Sequence, residues 1–263
     1  ERCPSLPLIY LSDAGFTPYG KVPHAELGER LERLCERLAE AHELMGLMVA
    51  CNAASSALTP ELRLPPTLSV IEQGIEATLE GLAGLIKGGS LKAGAPLVLG
   101  VVGGEATIRS GLYERELLRR RAELGVERLE VRGVVAQPIS AHVEAGRLSG
   151  VSLHADLQAI CAQLQGAHAL TLACTHYPAI SEAWRAHLPN TQLIDPVERF
   201  VSEGVRRWGG GSCTDKRDQE APLTIYTTGS AEALVRGAPL AWGLKLTHPV
   251  ISLDPHSLRS ADL

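Results

Sequence analysis

At 263 residues the chain has room for one large domain or two of ordinary size, each with its own core. Its 45 % hydrophobic and 21 % charged residues are the balance of a soluble globular protein. A net charge of −5 excludes a general nucleic-acid binder, which presents a strongly basic face. No apolar run has the length of a membrane-spanning helix, and no charged-then-apolar leader opens the chain, so a cytoplasmic location is expected.

In chain order, strands are expected at 7–12, 47–52, 67–72, 97–102, 128–135, 169–174, 191–195, 223–228 and 249–253. Between the first two lies "HAELGERLERLCERLAEAHEL", an amphipathic helix with Leu27, Leu31, Leu34, Leu38 and Met45 on one stripe. The runs 47–52, 97–102 and 169–174 are apolar almost throughout, as in strands buried on both faces of a parallel sheet. The arginines of "LLRRRAELG" read as the solvated side of one helix. Such alternation predicts an α/β fold with mainly parallel sheets.

Two glycine-rich stretches, "KGGSLKAGAP" (87–96) and "GGGSCTDKRDQEAP" (209–222), read as loops, the second polar and mobile. They predict a first domain of 1–92 plus 210–263 and a second of 93–209, because the last part is too small to fold alone.

The six cysteines, Cys3, Cys35, Cys51, Cys161, Cys174 and Cys213, form no CxxC pair, which fits reduced thiols better than a disulfide framework. Two of them share a setting. Cys51 in "LMVACNAASSALTP" and Cys174 in "LTLACTHYPAI" each follow an apolar strand and precede a helix opening. Ligands bind beyond the carboxyl ends of parallel strands, and free N–H groups there favour an anion and lower a thiol pKa. Two thiols, one from each domain, would flank one small anionic molecule. The plain alternative is that a free cysteine packs as a small hydrophobe, and Cys3, Cys35, Cys161 and Cys213 are left with it. Zinc at Cys51, Cys174 and His176 is disfavoured by the lack of a close ligand pair. "GVVGGEAT" lacks the spacing of a dinucleotide fingerprint, and there is no phosphate-binding Walker sequence. A cysteine protease would leave the second cysteine unexplained.

These residues point to a family. "ACNAAS" (50–55), "CTHYP" (174–178), "PYG" (18–20) and "GVVGGEATIRSGLY" (100–113) resemble the glutamate racemases of the aspartate/glutamate racemase superfamily. "VEAG" (143–146), "LID" (193–195) and "YTTG" (226–229) follow in the same order. The resemblance implies two flavodoxin-like three-layer domains in pseudo-twofold relation, with a site in the cleft between them that uses no cofactor and no metal. It implies a two-base inversion of glutamate, one thiolate taking the α-proton while the opposite thiol delivers one. Cys51 and Cys174 would be that pair, with His176 and Glu144 as auxiliaries of Cys174. Pro18, Tyr19, Gly20, Asn52, Ala53, Thr107 and Thr175 would line the substrate. The product would be D-glutamate for peptidoglycan synthesis, and a homodimer is an assembly the resemblance allows.

Each helper also has an ordinary reading. "PYG" is a common turn, Glu144 a solvated charge, His176 a donor to a backbone carbonyl, and Thr107 a helix cap. The sequence departs from the family in three places. No Asp-Ser-Gly turn precedes "LPLIYLSDAG": either the family's first strand and turn lie upstream of Glu1, or the first domain lacks a central strand, and in both cases Asp13 does not take that turn's role. Ala53 and Gly104 stand where the family has threonines, each removing a hydroxyl. Gln73, where proline is more typical, reads as structural. The departures leave open a racemase of another amino acid, or a weakly catalytic relative with a binding or regulatory role.

Overall fold

The computed structural model describes residues 3, 6–16, 18–89, 96–210, 222–243 and 245–254. The loops expected at 87–96 and 209–222 fall mostly outside these residues, as do Cys213 and the domain boundary expected at 92/93.

The elements run β1 (Leu8–Ser12), α1 (His24–Ala39), β2 (Leu47–Val49), α2 (Asn52–Ser55), β3 (Thr67–Ser69), α3 (Val70–Lys87) and β4 (Leu97–Gly103). Then come α4 (Glu105–Arg109), α5 (Leu112–Arg119), β5 (Leu129–Val135), α6 (Gln137–Glu144), α7 (Val151–Ala162) and β6 (Ala169–Ala173). The chain closes with α8 (Ser181–His187), β7 (Gln192–Ile194), α9 (Val197–Trp208), β8 (Leu223–Thr227), α10 (Ala231–Trp242) and β9 (Val250–Ser252). Every expected strand is present, and the fold is mixed α/β with parallel sheets. Two strands, β2 and β3, each stop three residues short of expectation. At the third, the Ser69 hydroxyl accepts from the Glu72 N–H and starts α3 at Val70. At the second, the chain leaves β2 after Val49 and enters α2, with Cys51 at its cap.

By contact density the chain divides into two units: Glu1–Met48, Ala57–Leu68 and Val201–Leu263 in one, Val49–Ser56 and Ser69–Phe200 in the other. This division differs from the expected boundaries. It gives α3 to the second unit, where that helix packs on β6, β7 and α5. It also gives the segment carrying Cys51 to the same unit as Cys174, where one cysteine per domain was expected.

The first unit holds the parallel sheet β1-β8-β9, so the C-terminal strands extend from the first one. Along α1 the buried Leu27, Leu31, Leu34, Cys35 and Leu38 follow the helical period. Met45 does not join them: α1 ends at Ala39, and Met45 is 61 % exposed. Cys3 is disulfide-bonded, against the expectation of reduced thiols throughout.

The second unit is built on the parallel sheet β5-β4-β6-β7, whose order is that of a flavodoxin-like sheet. All residues of β4 and β6 are buried, as their unbroken apolar runs require. β2 is different: it pairs with β3 alone, and only Val49 is buried. The core joins Ile71, Ile75, Leu79 and Leu82 of α3 to Leu97, Leu99 and Val101 of β4 and to Tyr113 and Leu117 of α5. Within it, the buried Thr78 hydroxyl bonds the Gly74 carbonyl and meets the Thr171 hydroxyl of β6 at 2.8 Å.

Candidate active site

Chain order reverses at β4, which lies between β5 and β6, and the carboxyl ends of such strands form the binding crevice of open α/β sheets. Three of these ends carry the residues of interest. β4 leads through Gly104 into α4, which holds Thr107. β5 leads through Ala136 into α6, which holds Gln137, Ser140 and Glu144. β6 leads directly into Cys174, Thr175 and His176.

Cys174 is half-buried, with its Sγ 3.5 Å from His176 Nδ1 and 3.9 Å from Ser140 Oγ. Burial pushes its thiol up to about 11, and the charges of Cys51 and Glu144 act in the same direction. The His176 backbone N–H and the Ser140 hydroxyl oppose the rise by bonding the thiolate. Cys51 reaches the surface, yet the protein around its sulfur still raises its thiol pKa. The Ala54 and Ala53 N–H groups at the opening of α2 pull the other way. The two sulfurs are therefore near enough for the charge of one to act on the other, and both are cradled by backbone donors. Cys35 and Cys161 lack such donors: both are buried, with thiols pushed up to about 11 chiefly by burial, and behave as small hydrophobes.

His176 is held below its ordinary value by burial, while Glu144, with Oε1 at 3.5 Å from Nε2, draws it upward. Glu144 is exposed, and its contact with His176 sets it apart from a merely solvated charge.

Asn52 is 4 % exposed, and its Oδ1 accepts from the Tyr113 hydroxyl at 3.0 Å. Ala53 is half-buried and Thr175 exposed. Thr107 is buried inside α4 and does not cap that helix, because Gly104 occupies the cap position. Together with Tyr113, Val131 and Gly133 it lines a cavity of about 100 Å³ to which neither thiol contributes.

Gly104 explains its own departure from the family pattern. The Glu105 N–H bonds Gln137 Oε1 at 3.3 Å, and a Cβ at 104 would lie 3.0 Å from that oxygen. Gln137 thus supplies from α6 the acceptor that a cap side chain would supply locally.

Pro18, Tyr19 and Gly20 belong to the first unit, where Tyr19–Lys21 forms a short 3₁₀ turn and Pro18 is exposed. The Tyr19 hydroxyl donates to Asp13 Oδ2 at 2.6 Å. Asp13 also accepts from Arg30 Nε and Nη2, at 3.0 and 2.7 Å, and from the Thr228 hydroxyl at 2.6 Å. Burial pushes the Asp13 carboxyl up, but these bonds outweigh it and hold the pKa below the ordinary value. Asp13 is therefore the anchor of the turn.

Sequence reasoning missed Ser140, Gln137 and Tyr113. Their signal was positional: "AQPIS" follows a strand end, and Tyr113 closes the "GVVGGEATIRSGLY" motif. Among the described residues, no group of three or more His, Cys, Asp or Glu side chains is placed to hold a metal ion.

No family model matches the chain. A glutamate racemase of Limosilactobacillus reuteri is 28 % identical over 243 residues, covering 90 % of this chain and 84 % of the relative. A glutamate racemase of Stutzerimonas stutzeri is 29 % identical over 253 residues, covering 92 % and 87 %. Among solved structures, a Bacillus anthracis glutamate racemase isoform superposes with a TM-score of 0.79 at 22 % identity, over 97 % of this chain and 90 % of its own. The Francisella tularensis glutamate racemase, solved with D-glutamate, gives 0.77 at 20 % identity, over 96 % and 90 %. In sequence and in fold, this chain is similar to the glutamate racemases.

Proposed function

We propose that the protein is a cofactor-independent glutamate racemase in which Cys51 and Cys174 act as the two bases. The observation that carries this reading is the matched placing of two cysteines, Cys174 after β6 with its sulfur beside His176 and Ser140, and Cys51 at the opening of α2. A single anion-binding thiol would not need a second; inversion at a carbon does, because one base must act on each face. D-glutamate bound to the Francisella relative supports the same substrate here.

In one direction Cys174 gives its proton to neutral His176, and the thiolate takes the α-proton of the amino acid. The electron pair left on Cα then takes a proton from the Cys51 thiol on the opposite face. In the reverse direction the roles exchange, and no redox change occurs. Raised thiol pKa values suit this chemistry, since a more basic thiolate is a better match for a weakly acidic C–H. Glu144 steadies the imidazole that holds the proton. Asn52, Ala53, Thr107 and Thr175 would line the substrate, as would Pro18, Tyr19 and Gly20. The D-glutamate would serve peptidoglycan synthesis in the cytoplasm.

A second reading, a racemase of another amino acid, is favoured by Ala53 and by the Gly104–Gln137 pair, which replace two hydroxyls. Circular dichroism of L-glutamate, and separately of L-aspartate, incubated with the protein decides between them. Decay of the L-glutamate signal to zero is expected. Decay of aspartate alone selects the second reading, and decay of neither removes both.

A further inference from the structure

The Tyr113 hydroxyl reaches the site without being one of its reacting groups. It is 3 % exposed and donates to Asn52 Oδ1 at 3.0 Å. Burial raises the phenol pKa, and the charge of Cys174 raises it further. Its place is fixed from α3: a Cβ at Gly74 would lie 2.2 Å from the Tyr113 oxygen, so only glycine lets the phenol reach Asn52.

An asparagine amide has one acceptor end and one donor end, and a rotation by half a turn exchanges them. A carboxylate ligand is acceptor-only and is repelled by the wrong end. With Oδ1 occupied by Tyr113, Nδ2 is the end left over, and among the described residues it makes no hydrogen bond of its own. Asn52 directly follows Cys51, so a carboxylate held there lies beside one of the thiols.

We propose that Tyr113, admitted by Gly74, is a positioning residue that locks the Asn52 amide with its Nδ2 donors presented to the carboxylate of the amino-acid substrate. This rests on the racemase reading of the site. It makes the pair a determinant of substrate affinity, distinct from the acid–base groups that set the rate.

The test combines calorimetric binding of D-glutamate with steady-state racemisation for wild type, Tyr113→Phe, Asn52→Ala and the double variant. Tyr113→Phe is expected to weaken binding and raise KM about tenfold, the size of one lost hydrogen bond to a charged ligand, with kcat changed less than about threefold. In the Asn52→Ala background the same change should add nothing further, because it acts through that amide. Gly74→Ala, which displaces the phenol by a different route, should reproduce the KM effect. Unchanged binding and KM in Tyr113→Phe, even with a lower melting temperature, overturns the proposal; so does a further loss in the double variant. Wild-type protein that binds D-glutamate without inverting it would sink the racemase reading alone, and the binding comparison would still decide the role of Tyr113. Wild-type protein that does not bind it overturns both.

Discussion

The Nδ1 atom of His176 lies 3.5 Å from the Sγ atom of Cys174, and the opposite ring nitrogen lies 3.5 Å from Glu144. The imidazole therefore connects a thiol to a carboxylate; burial lowers its pKa, and the Glu144 charge opposes that shift and favours uptake of a proton. His176→Gln should lower kcat/KM by about 10²-fold, the lower range for loss of a positioned acid–base group. Enantiomers have equal free energy in water, so the loss must be equal in the two directions. Initial rates from L- and from D-glutamate check both statements.

Activity should depend on pH through the raised thiols. The Cys174 thiol lies near 11 in the free protein, above its ordinary value of 9.0. kcat/KM is therefore expected to climb from pH 7 toward alkaline pH as the thiolate forms. Stability carries the opposite sign. A raised folded-state pKa gives a contribution that is full below pH 9.0 and is lost as pH rises through about 11. Denaturation midpoints taken across this window should fall more steeply for wild type than for Cys174→Ala.

Arg30 and Asp13 form an ion pair whose side chains are 1 % and 6 % exposed. Removing one partner leaves the other charge buried, so Asp13→Asn should destabilise the protein by about 3–5 kcal/mol. Asp13→Asn combined with Arg30→Met should recover part of that loss. Because the Asp13 carboxyl is held below its ordinary 3.8, its contribution is present above that pH and disappears as pH falls through the lower folded value. Urea melts of wild type and Asp13→Asn between pH 3 and 7 measure the difference.

Gly104→Thr should push on the Gln137 amide and break its bond to the Glu105 N–H, at a cost of about 1 kcal/mol, the size of one helix cap. Adding Gln137→Ala removes the obstruction and lets the new hydroxyl act as the cap. Thermal melts of the single and double variants should show loss followed by recovery.

The strands were readable in the sequence because their signals are local. Unbroken apolar runs mark β4 and β6, and small polar residues follow each of Cys51 and Cys174. What escaped reading depends on contacts distant in sequence. Tyr113 meets Asn52 across 61 positions, and Gln137 reaches Glu105 across 32. Neither pairing has a periodicity to betray it. The chain divides away from its glycine-rich loops for the same reason: α3 goes with the sheet it packs on, which composition does not record. The grip of Asp13 on Tyr19 likewise appears only in three dimensions.

Proton exchange at Cα, followed by mass spectrometry during incubation of each glutamate enantiomer in heavy water, tests the paired-thiol chemistry most directly. Wild type should place deuterium on the inverted product, and Cys51→Ser or Cys174→Ser should each reduce inversion by about 10²–10⁴-fold. Inversion at the wild-type rate after loss of either sulfur would contradict the assignment of both cysteines as bases.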